Sequence, residues 1–179
     1  MNLPRRPQHR STPTSSGRLL VVAALLLALL TACTPASANQ VEEGHWRLSL
    51  DQSWQRTQPQ SLPWTLAYRS DGLTLQLTGK FSEDADARSG LTRLAIPARL
   101  ALTDYAATTV EDITIPGADS AVLERFSYTE AGAPRQAVWI IATQWPYPAT
   151  AALSLSGEQV SQEAIQDLLS TLEFEPQAP

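Results

Sequence analysis

Between residues 45 and 175 the hydrophobic positions recur mostly at a spacing of two. Trp46, Leu48 and Leu50 alternate with polar neighbours, as in a half-buried strand. Leu73, Leu75 and Leu77 do the same against Thr74, Gln76 and Thr78. Asp71-Gly72 just ahead of them is a hairpin signal, so the run from Pro63-Trp64 to Arg69 should fold back on 73–78. Trp54 falls in the preceding turn and reads more readily as a core plug than as a ligand platform. Four further strand-like runs follow at 109–115, 121–129, 136–144 and 150–156. Pro116-Gly117, Ala131-Gly132 and Pro146-Tyr147-Pro148 separate them, and connections that short force antiparallel neighbours. The stretch 137–142 is apolar on both alternating sets, which predicts a strand covered on both faces.

Helical spacing appears twice. Leu91, Leu94, Ala98, Leu102 and Tyr105 recur at intervals of three and four, with Pro97 between them. Proline suits the first turn of a helix and damages its interior, so the spacing predicts a short turn before Pro97 and a helix after it, ending near Ala107. Near the end, Ser161 can cap a helix whose apolar stripe is Ile165, Leu168, Leu169 and Leu172. The order is strand, hairpin, helix, four-stranded meander, helix. It predicts an α+β fold, an antiparallel sheet with helices on both faces, in other words an α/β/α sandwich.

One run breaks the pattern. Leu19 to Leu30 holds twelve consecutive Leu, Val and Ala residues, too few for a spanning helix of roughly 20 but suited to the core of a secretory signal. Arg5, Arg6, Arg10 and Arg18 precede it with no acidic residue, the expected basic start. Pro7 follows the Arg5-Arg6 pair without an apolar start, which argues against a twin-arginine signal. The run ends in Leu30-Thr31-Ala32-Cys33. This ending resembles the bacterial lipobox. The resemblance implies a diacylglyceryl group on the Cys33 thiol, cleavage between Ala32 and Cys33, and anchoring in the cell membrane on its extracytoplasmic face. Acyl burial is worth about 0.8 kcal/mol per CH₂, and two chains hold where one binds only reversibly. The competing site, Ala36-Ser37-Ala38, would release a soluble protein without Cys33, but it lies well beyond the apolar run.

The organisation expected is therefore a signal peptide at 1–32, a lipidated polar tether at 33–44, one domain at 45–175 and a tail at 176–179. Removing the first 32 of 179 residues leaves 147, one domain in size. Cys33 is the only cysteine, so the domain has no internal disulfide and stands on its core. Residues 34–44 extended would reach at most about 40 Å. All 18 acidic residues lie in the mature part but only nine of the 13 basic ones, which takes the net charge from −5 to −9. Such a surface repels nucleic acid and anionic headgroups, so no nucleic-acid partner is expected.

Candidate chemistry is sparse. The polar, acidic segment 82–90 reads as a solvated loop: Glu83, Asp84 and Asp86 suggest a calcium site, but Arg88 and Ser89 stand where a third oxygen ligand and its glycine belong. His45 is the one mature histidine, and with Glu42 and Glu43 it does not make a zinc set, so a structural role is expected. No Gly-x-Ser-x-Gly elbow or phosphate-cradling glycine loop occurs. Glu111 and Asp112 point to opposite faces of a strand and do not converge as an acid and base would. No catalytic residue, metal or cofactor is expected. Trp145 and Tyr147, on a proline-stiffened turn, are candidate partner contacts, or else lids over one end of the core.

The early strand followed by Trp54, the meander through Ile115-Pro116-Gly117 and Arg125-Phe126-Ser127-Tyr128, and the closing segments 152–157 and 169–172 resemble the LpqN-type lipoproteins of actinobacteria. That group shares the PsbP-like fold, found also in a photosystem II extrinsic subunit and a Ran-binding transport factor. The resemblance implies an α/β/α domain that binds other proteins and has no common catalytic residue. Two functions are then expected in turn: a monomeric, membrane-anchored interaction module for a protein of the cell envelope, or a binder of a small apolar ligand or lipid in a cleft between sheet and helix.

Overall fold

The computed structural model describes residues 38–176. Ala32, Cys33, the apolar run and most of the expected tether lie outside the described residues. Ten strands and two helices are described in the order β1 (Asn39–Glu43), β2 (Trp46–Leu50), β3 (Gln55–Thr57), β4 (Leu66–Ser70), β5 (Leu73–Ser82), α1 (Ala87–Ala101), β6 (Thr103–Ile113), β7 (Ser120–Glu130), β8 (Ala133–Gln144), β9 (Ala149–Gly157), α2 (Gln162–Thr171) and β10 (Glu173–Phe174). Seven strands form one sheet in the order β3-β4-β5-β9-β8-β7-β6, and β1-β2-β10 form a second. The architecture is α+β, mostly antiparallel sheet with two helices.

Local chemistry sets the two tightest hairpins. Asp71 and Gly72 both take positive φ, 45° and 78°, and Ala131 and Gly132 take 51° and 81°. Two such residues in a row make the turn whose twist matches antiparallel strands. They fix the registers Ser70↔Leu73 and Glu130↔Ala133.

Those registers give the large sheet two unlike faces. Leu75, Leu77, Leu123, Ile140 and Leu153 point to one side and join Trp46, Leu48 and Leu50 of the small sheet and Ile165, Leu168 and Leu172 of α2 in one core. The opposite positions, Val122, Phe126, Trp139, Ile141 and Ala152, pack with Leu91, Leu94 and Ala95 of α1 in a second. The buried Trp46 donates its indole N–H to the Ala152 carbonyl at 3.0 Å. Trp54 packs partly buried against the first core, as a plug should.

Four expectations are corrected. The chain does not break at Pro97, because α1 runs unbroken through it. Apolar contacts on both sides of the proline, Leu91, Leu94 and Ala95 before it and Ala98 and Leu102 after it, outweigh the one backbone hydrogen bond it removes. The helix ends instead at Leu102, and Tyr105 lies on β6, which begins at Thr103. The polar segment 82–90 is not all loop. Asp86 caps α1 by accepting from the Ser89 amide at 2.9 Å, so 87–90 is the first turn. The tether is shorter than expected, because Asn39–Glu43 pairs with β2 from Asn39↔Leu50 to Glu43↔Trp46.

Candidate binding cleft and aromatic turn

The cover over the second face of the large sheet is partial. One register row crosses four strands as Gln76, Ser154, Trp139 and Glu124. Of this row only Trp139 belongs to the apolar cluster that packs under α1, and the other three members are buried polar side chains. Between the second half of α1, the segment 60–64 and this stretch of sheet lies a cleft of about 240 Å³. Leu94, Pro97, Ala98 and Ala101 come from the helix, Leu62 and Trp64 from the loop, and Tyr128, Trp139, Ser154 and Ser156 from the sheet. The loop is tied down where the Gln60 amide donates to Gln76 Oε1 at 2.9 Å.

Aromatic rings pack against one another at tilted angles through this region. Phe126 lies 4.2 Å from Trp139 and 5.9 Å from Tyr128, centroid to centroid. Tyr105 closes the cluster at 5.0 Å from Phe126, with the Arg99 guanidinium 5.8 Å from its ring. Burial pushes the Tyr128 phenol above its ordinary value, and the Glu130 charge adds to the effect. Behind the rings, Glu124 is buried at 2% exposure and accepts from the Tyr105 hydroxyl at 2.9 Å. Burial raises the Glu124 carboxyl, and burial with the hydrogen bond to Glu124 pushes Tyr105 up to about 12. The pair acts as a hydrogen-bonded prop under the aromatic wall.

The acidic segment is used for structure. Arg93 donates to both oxygens of Asp84, at 3.0 and 2.8 Å, and Ser82 donates as well. The Arg93 hydrogen bonds hold the Asp84 carboxyl below the usual range. No cluster of three or more His, Cys, Asp or Glu side chains able to hold a metal occurs among the described residues. His45 packs into the fold, with Nδ1 2.8 Å from the Glu175 carbonyl oxygen and its ring stacked on Phe174 at 5.1 Å. Glu111 and Asp112 face different arginines, Arg125 at 3.8 Å and Arg88 at 2.8 Å.

Trp145 and Tyr147 occupy the turn between β8 and β9 and stay 58% and 51% exposed. The Trp145 amide donates to Asp119 Oδ2 at 2.7 Å, which pins the start of the turn. The cleft was not foreseen residue by residue. Its polar floor reads in sequence as the solvent face of an ordinary strand, and Glu124 as one polar position among several. Among the described residues no helix is long and apolar enough to cross a membrane.

No protein-family model matches the chain, and no curated protein matches it. Solved structures do. PA94 of Pseudomonas aeruginosa, a protein of unknown function, is 18% identical with a TM-score of 0.40, over 72% of this chain and 86% of its own. LpqN of Mycobacterium tuberculosis, involved in cell envelope biogenesis, is 19% identical with a TM-score of 0.41, over 81% of this chain and 88% of its own. At such scores neither neighbour lends this chain a site or a role.

Proposed function

We propose that the protein is an extracytoplasmic lipoprotein, anchored through acyl chains on Cys33, that works by binding a protein of the cell envelope and not by catalysis. One observation carries the binding half: Trp145 and Tyr147 remain more than half exposed on a pinned turn. Rings that served as lids would be buried. Large rings already held in place cost little ordering entropy on docking, which is why Trp and Tyr dominate binding hot spots. The anchor rests on the lipobox-like ending Leu30-Thr31-Ala32-Cys33 and its apolar run.

Two variants separate these halves. Cys33→Ala should move the protein out of the membrane fraction or leave the precursor uncleaved, and unchanged detergent partitioning and gel mobility would remove the anchor. Trp145→Ala/Tyr147→Ala should keep the anchor and lose an envelope protein captured from detergent-solubilised membranes. Capture of the same protein by both forms would remove the turn as the interface. A second reading has its own observation. The cleft under α1 could take a small ligand, and at about 240 Å³ it is below the usual range for ligand pockets, roughly 300–1,000 Å³. That size suits a compact group more than an acyl chain.

A further inference from the structure

We propose that the outer side of α1 and the loop 58–65 rest on the lipid bilayer, with Leu62, Ile96 and Leu100 set at the edge of the acyl chains. The inference rests on the Cys33 anchor proposed above, and it names the surface that the anchored domain turns toward the membrane.

Leu62, Ile96 and Leu100 are three of the six large hydrophobic side chains that stay exposed among the described residues, and the two leucines are 90% and 87% exposed. They lie together. Ile96 with Leu100, and Pro97 with Ala101, form two neighbouring rows four residues apart on α1. Pro97 and Ala101 in turn line the cleft with Leu62 and Pro63. A single exposed leucine is ordinary, but a contiguous apolar patch marks a contact with protein or membrane. Charge favours the membrane. The segment 57–65 holds no charged residue, and α1 holds three arginines but no acidic residue. Arg88 and Arg93 are paired with Asp112 and Asp84, and Arg99 lies over the Tyr105 ring. The patch is therefore close to neutral on a mature part of net charge −9, and it can approach headgroups that the rest of the surface repels.

The tether points the same way. Asn39, the first residue of β1, follows Cys33 by six positions, a reach of at most about 22 Å. Asn39 pairs with Leu50, and three residues past Leu50 the Ser53 hydroxyl meets the Ser70 hydroxyl at 2.6 Å, beside the Asp71-Gly72 hairpin. α1 runs toward that end of the large sheet. Its Ala87 amide donates to Ser120 Oγ at the far end, and just after the helix Thr103 pairs with Thr129, next to the Ala131-Gly132 hairpin. One register row, Thr74, Ser156, Ala137 and Phe126, sets both hairpins at the same end. The apolar end of α1 and the start of the tethered chain thus share one end of the sheet. Trp145 and Tyr147 follow Thr143, which pairs with Ser120, so they lie at the other end and remain open to a protein partner.

The test uses the full-length acylated protein in phosphatidylcholine vesicles, with an environment-sensitive fluorophore on one introduced thiol. Cys33 is the only native cysteine, and once acylated it offers no thiol to the reagent. On Leu62→Cys the label should emit to the blue and lose most of its fluorescence to lipids that carry a nitroxide just below the headgroup, as an insertion of about 5–10 Å requires. High salt should leave the quenching unchanged, because the contact is apolar. On Tyr147→Cys, at the opposite end, the label should stay unquenched. Adding Ile96→Gln/Leu100→Gln, both at exposed positions, should remove most of the quenching at Leu62→Cys. An unquenched Leu62→Cys label, on a parent protein that floats with the vesicles and takes up no label, would overturn the contact and leave the anchor standing. A parent protein that reacts at Cys33 and does not float would overturn the anchor and the contact with it. Quenching at Tyr147→Cys in place of Leu62→Cys would set the aromatic turn on the bilayer and overturn this assignment.

Discussion

The two faces of the seven-stranded sheet are built from the same strands, one residue out of step, yet they are put to different uses. On one, Leu75, Leu77, Leu123, Ile140 and Leu153 are almost wholly buried and aliphatic, closed over by the small sheet and α2 residues. On the other, a single helix covers part of a surface that holds Trp139 and Phe126 but also buried Gln76, Glu124 and Ser154. The first face supplies most of the dry area, and burial of apolar surface is the dominant favourable term in folding. The second is left with polar groups and space. Because side chains alternate with a period of two, the division survives only while the register holds.

The sharpest way to break this comparison uses adjacent residues of β9. Leu153→Ala removes an aliphatic side chain with no exposed surface and should cost about 2–5 kcal/mol. Ser154→Ala, one position on and bordering the cleft, should cost less than about 1 kcal/mol, since it deletes one hydroxyl and leaves little cavity. Urea unfolding with an unchanged slope measures both. Equal costs would mean that the faces are not as unlike as described.

A smaller effect separates the two buried carboxyls. Glu124, behind the aromatic wall, has its pKa raised above 4.5 by burial. Its folded form therefore favours the proton, and its contribution is most favourable below 4.5 and lost as pH rises through the raised value. Asp84 has its pKa lowered below 3.8, chiefly by Arg93, so its contribution is present above 3.8 and lost as pH falls through the lowered value. Thermal unfolding followed across pH should show Glu124→Gln gaining on the parent protein as pH rises, and Asp84→Asn losing to it at neutral pH and converging in acid. Two variants with parallel profiles would show that one carboxyl is misplaced.

The sequence was most legible where the determinants are local. Asp71-Gly72 and Ala131-Gly132 impose their turns whatever surrounds them, and the meander from β6 to β9 followed. It was least legible where small or polar residues are buried by distant partners. Gly90 enters the first turn of α1 because a bare backbone fits there: a Cβ would meet Thr150 Cγ2 at 2.9 Å and Ile141 Cγ2 at 3.0 Å, both far along the chain. β1 shows almost no alternation, with Val41 its one buried residue. Its place comes from the edge of β2. The cleft was hidden for the same reason. Gln76 and Ser154 look solvent-facing until α1 and the loop at 60–64 are set over them, and nothing within β5 or β9 announces that. Trp145 and Tyr147 could be picked out as ring-bearing turn residues, but not as exposed ones.

The smallest expected effect bears on the roof of the cleft. α1 carries apolar residues on two sides: Leu91, Leu94 and Ala95 are buried against the sheet, while Ile96 and Leu100 are 57% and 87% exposed. Periodicity alone cannot say which side faces inward, since both sets recur at helical spacing. In the observed orientation Leu100→Gln and Ile96→Gln should each change stability by no more than about 0.5 kcal/mol, the ordinary range for surface positions. Urea unfolding detects a departure readily, because a helix rolled to bury Leu100 would lose the transfer free energy of a whole leucine, about 1.5–3 kcal/mol. That outcome would also turn Pro97 and Ala101 away from the sheet and open the cleft they now line. A near-silent Leu100→Gln therefore supports more than one residue: it fixes which face of α1 roofs the aromatic wall, and hence which side of the sheet has room for a ligand.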